Sequence, residues 1–167
     1  MSPFDFPDEP PDNDAATHAA QVERDRRALE AVRQSLVDAG FYAYGTLDDQ
    51  NRWTIAVDDE EGRADVRIGP DGYEVELRAT SPGLYADEES EWRRQSRSRL
   101  ARISIPNIAR GFLEPHQHAT WDEVEQGVSV SETYQLPFTR AADIGQFVRT
   151  NLPTLELVLA RIEAQLG

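Results

Sequence analysis

Between Tyr73 and Ala79 the chain alternates without a slip. Tyr73, Val75, Leu77 and Ala79 are apolar or aromatic, and Glu74, Glu76 and Arg78 between them are charged. A period of two is that of a β-strand, whose successive side chains point to opposite faces. Such a strand belongs to a sheet with one buried face and one wet face, as in an antiparallel meander. The neighbouring segments agree. Trp53, Ile55 and Val57 alternate within 52–58, and Ala64, Val66 and Ile68 within 63–68. A short aromatic strand is expected over 41–46. Polar turns through Asp48, Asp49 and Asn51, through Asp59 to Gly62, and through Pro70-Asp71-Gly72 separate these strands.

A sheet with one apolar face needs a cover, and three helical stretches can provide it. Thr17–Ala39 places Val22, Leu29, Val32 and Leu36 at helical spacing and ends at Gly40. Over 87–103, acids open and arginines close a second helix, which complements the helix dipole. There Trp92, Leu100 and Ile103 form one side, and Pro106 is expected to stop the helix. In the last stretch Ile144, Val148, Leu152, Leu155, Leu159, Ile162 and Leu166 recur every three or four residues. Pro153 predicts either a kink or a second helix capped by Asn151. A second hairpin is expected from 118–125 and 127–136 around Gln126-Gly127. The fold class is therefore α+β, an antiparallel sheet (meander plus hairpin) packed by N-terminal, middle and C-terminal helices. Residues 17–167 form one domain. Residues 1–16, rich in Pro and Asp, read as a disordered acidic tail in which Phe4 and Phe6 are candidate docking residues.

This order of elements resembles the type III secretion chaperone-like fold of bacteria, which includes the CesT-like chaperones and the YbjN-like proteins. The resemblance rests on the 53–57 and 73–79 strands, the 100–112 segment after the middle helix, and the strand 128–136 that runs through Leu136-Pro137-Phe138 into the final helix. It covers about residues 17–167. It implies a partner-binding or chaperone-like role, and many proteins of this fold are homodimers.

Charge and missing residues narrow the chemistry. With 31 acidic and 17 basic residues the net charge is −14, so nucleic acid is disfavoured as a partner. Every basic residue is Arg, which excludes a lysine Schiff base and a P-loop. There is no Cys, hence no disulfide, thiolate nucleophile or Cys-ligated zinc. No apolar run is long enough to span a membrane, and residues 1–14 lack the features of a signal peptide, so a cytoplasmic location is expected.

The remaining candidates are few. His116 and His118 form an H-x-H pair near Asp122 and Glu123, and alternate positions on a strand share a face that two imidazoles need to grip one metal. The more ordinary reading is two exposed histidines at a strand entry. The carboxylate runs lie in polar turns, and no nucleophile elbow or nucleotide loop is present. Arg93 and Arg97 belong to a basic stretch that fits either an acidic ligand or ion pairing within the chain. The expectation is a non-enzymatic protein-binding or chaperone-like domain without a cofactor. It would hold a segment of a partner protein against its sheet face or a strand edge. A homodimer would form through the last helix or a sheet face. Trp53, Tyr73 and Trp121, with Arg93 and Arg97, are the candidate contacts. The alternatives are a metal-dependent or small-molecule enzyme at His116/His118 and an arginine-patch binder of an acidic ligand.

Overall fold

The protein is described by a computed structural model covering residues 11–166. Phe4 and Phe6 lie outside the described residues, as does most of the expected tail. Helix α1 runs from Pro11 to Ala28, so helix begins ahead of the expected Thr17. Pro11 suits a first helical position, where its missing N–H has no intrahelical partner to lose. After a hitch at Leu29, α2 continues as Glu30–Asp38 and buries Val32, Ser35 and Leu36.

Four antiparallel strands follow: β1 (Ala43–Leu47), β2 (Trp53–Asp59), β3 (Gly62–Ile68) and β4 (Tyr73–Ser81). Helix α3 (Glu91–Arg110) then leads to the hairpin β5 (Gln117–Asp122) and β6 (Gly127–Leu136). A 3-10 turn, Phe138–Asp143, delivers α4 (Ile144–Leu166). The sheet order is β1-β2-β3-β4-β6-β5, so α3 carries the chain past β6 and the hairpin folds back beside β4.

The register explains the two faces. Ile55 faces Val66, Val66 faces Val75, Leu77 faces Ala64, and Ala79 faces Val130. This apolar side packs beneath α2, α3 and α4, and the α4 residues Ile144, Val148, Leu152, Leu155, Leu159 and Ile162 are all buried on it. Full burial of each such side chain contributes about 1.5–3 kcal/mol. The opposite face is a lattice of paired charges. Arg63 bonds Asp65 at 3.0 Å, Arg67 lies 3.5 Å from Asp48, and Arg52 meets Asp48 at 2.9 Å.

Two prolines sit inside helices. Pro106 does not end α3, which continues to Arg110. Its ring is on the exposed side, where water can serve the carbonyl it leaves unbonded. α4 runs through Pro153 as one helix, so no second helix capped by Asn151 starts there; Asn151 Nδ2 instead donates to the Phe147 carbonyl at 2.8 Å. Among the described residues no helix is long and apolar enough to cross a membrane.

Candidate binding surface

Helix α3 is where the surface departs most from the sequence expectation. Ser90 caps it, accepting from the Arg93 N–H at 3.3 Å. The side it buries consists of Ser98, Ala101 and Ile105. α3 packs over β5 and against α4. The apolar side picked out by the sequence faces out. Trp92, Leu100 and Ile103 are 74, 63 and 65% exposed. At 100° per residue, Arg99, Ile103 and Arg110 fall within about 20° of Trp92, and Leu100 and Arg93 flank them. Among the described residues no carboxylate pairs with Arg93, Arg99 or Arg110, whereas Arg102 meets Glu123 at 2.8 Å.

Beside this stripe a groove of about 380 Å³ opens between α3 and the end of α4. Tyr85, Leu100, Ser104, Ile108 and Leu166 line it, together with Arg97. Arg97 is held by Glu88 and lies 4.7 Å over the Tyr85 ring. Burial pushes the Tyr85 phenol up, against the opposing pull of Arg97.

The aromatic candidates lie elsewhere. Tyr73 and Trp121 are core residues, because the strand alternation puts both on the helix-covered face. Tyr73 meets Phe138 edge-on at 5.1 Å, and Trp121 stacks on Tyr85 at 6.0 Å. Trp53 is half-buried over Gly45, where a Cβ would stand 2.0 Å from its ring. Of the two arginines, Arg93 stands on the outward side of α3 and Arg97 on the groove wall.

The two histidines do not converge. His118 pairs in register with Ser131, on the charged side of the sheet. His116 precedes β5, and its Nε2 lies 3.2 Å from the Tyr134 hydroxyl and 3.8 Å from Glu132. The turn before β5 breaks the alternation that two shared ligands require. Among the described residues no group of three or more His, Asp or Glu side chains is placed to hold a metal ion.

That turn instead completes a polar cluster around Glu132. The Glu132 carboxylate is buried within β6, accepts from Gln117 Nε2 at 3.0 Å and is hydrogen-bonded by Tyr134. Burial, joined by the hydrogen bond and charge of Glu132, pushes the Tyr134 phenol well above its ordinary value. Glu132 falls at an apolar position of the alternation, and that misfit is its only sequence signal.

The routes expected for a homodimer are also changed. The α4 stripe is spent in the chain's own core, and the opposite sheet face carries paired charges. No family model and no curated protein matches this chain. Among solved structures it is similar to YbjN from E. coli, at 15% identity over 82% of this chain and 92% of that one, with a TM-score of 0.43.

Proposed function

We propose that this chain is a non-enzymatic, chaperone-like protein-binding domain that holds a segment of a partner protein along the outer side of α3. One observation carries the reading: Trp92, Leu100 and Ile103 stand in solvent along about 16 Å of a single helix. Their summed exposed surface is on the order of 400 Å², spread along the helix with Arg99 between Trp92 and Ile103. The reading moves the contact from Tyr73 and Trp121, which the core already uses, to residues left exposed by the described part of the chain.

The test is a selection of displayed random peptides against the full chain, repeated with Trp92→Ser, Leu100→Ser and Ile103→Ser combined. Peptides recovered on the native chain should lose binding to the triple variant while its circular dichroism spectrum stays native. Recovery of the same peptides on both proteins would overturn the reading.

A further inference from the structure

We infer that the segment held on α3 is acidic and carries an aromatic anchor; this rests on the reading of α3 as the binding side and names the chemistry of what binds there.

Charge supports this first. The chain is strongly acidic, yet the outward side of α3 carries Arg93, Arg99 and Arg110 with no carboxylate paired to them among the described residues. Elsewhere the arginines of the sheet lie against acids: Arg63 on Asp65, Arg67 on Asp48, Arg78 on Glu76. The α3 arginines are thus the cationic groups left facing solvent beside an apolar stripe. An acidic segment completes them, and a basic one is repelled by them. Guanidinium groups also accept carboxylates in a two-pronged geometry that a point charge lacks.

Shape supplies the aromatic part. The groove between α3 and α4 opens at Leu100, so a chain lying along the stripe passes its mouth. At about 380 Å³ it falls within the usual range for ligand pockets. Its wall offers the Tyr85 ring, Leu100, Ile108 and Leu166, and an aromatic side chain matches such a wall better than a short aliphatic one. The occupant therefore presents carboxylates to Arg93, Arg99 and Arg110 and inserts one ring between the helices.

The experiment compares two labelled synthetic peptides of about twelve residues, measured by fluorescence anisotropy on the full chain. One is rich in Asp and Glu and carries two phenylalanines. The other replaces each acid with Lys. The acidic peptide should bind at least about tenfold tighter, a difference of about 1.4 kcal/mol. Its binding should weaken between about 50 mM and about 500 mM salt, as screened ion pairs do. Combining Arg99→Glu with Arg110→Glu should weaken it at least about tenfold, and replacing both phenylalanines with Ala should do the same. Equal binding of the two peptides, no binding of the acidic one, or indifference to the paired arginine reversal would each overturn the inference. The two failures are separable. If peptides from the displayed library still depend on Trp92, Leu100 and Ile103 while charge makes no difference, the α3 reading stands and the acidic partner falls.

Discussion

Replacing Gly145 with Ala opposes two physical effects of opposite sign. Gly145 lies at the start of α4, and its N–H donates to Ser35 Oγ at 2.9 Å. Ser35 in turn donates to the Ala142 carbonyl at 2.8 Å, tying α2 to the entry of α4. A Cβ on Gly145 would stand 2.1 Å from the Ser35 carbonyl oxygen and 2.9 Å from the Ala39 Cβ. The first obstacle is backbone and cannot rotate away, so α2 and α4 must part by about 1 Å, forfeiting a quarter to a half of the dispersion attraction across the seam. Overpacking of this kind costs about 2 kcal/mol. Loss of the Ser35 bond adds about 1 kcal/mol, and the better helix propensity of Ala returns up to about 1 kcal/mol. The net is a destabilisation of about 2 kcal/mol, or a fall in Tm of about 4–8 °C for a domain of this size. Urea unfolding followed by tryptophan fluorescence should show a lower midpoint with an unchanged slope. A variant as stable as the native chain, or more so, would mean that propensity governs this position and that α2 and α4 do not touch there.

Other outcomes follow from burial and charge. Leu155→Ala should cost about 2–5 kcal/mol, whereas Trp92→Ser, on the open side of α3, should change stability by no more than about 0.5 kcal/mol in the same assay. The raised Tyr134 phenol keeps its proton in the folded chain after the unfolded chain has lost it, so its share of stability is complete below about pH 10 and falls as pH rises beyond that. Tyr134→Phe should flatten that alkaline fall in unfolding midpoint. At Asp48 burial pushes the carboxyl up, but the backbone N–H groups of Arg52 and Gln50 and the Arg52 guanidinium outweigh it and hold the group below the usual range. Its contribution is therefore present above about pH 4 and lost as pH falls through the depressed folded value, and Asp48→Asn should remove that acid-side slope.

Much of the frame was legible because periodicity reports burial directly. Tyr73–Ala79 and the α4 stripe repeat without error over many residues, and each places its apolar set on the covered face. Which side of helix α3 faces inward is something periodicity does not carry. Its inward side is built of Ser98, Ala101 and Ile105, of which only Ile105 is large, while Trp92, Leu100 and Ile103 are left outside. Tyr73 and Trp121 are large and amphipathic, as interface residues are, but the alternation that marks their strands also commits them to the core. Glu132 was not legible because its partner Gln117 comes from the neighbouring strand, a pairing that exists only once β5 lies against β6.

The place of α4 in the chain has a consequence for synthesis. Residues 144–162 supply the central cover of the sheet, and they leave the ribosome after every strand has emerged. At about 5–20 residues per second, α4 takes one to several seconds to follow β6 out of the exit tunnel, and in that interval a nearly complete sheet exposes Val66, Val75, Leu77 and Val130 to water. A nascent chain stalled with Leu136 clear of the exit tunnel and α4 still inside it should therefore be held by cellular folding factors and readily cleaved by proteases. One stalled well beyond Leu166, with α4 clear of the exit tunnel, should resist both.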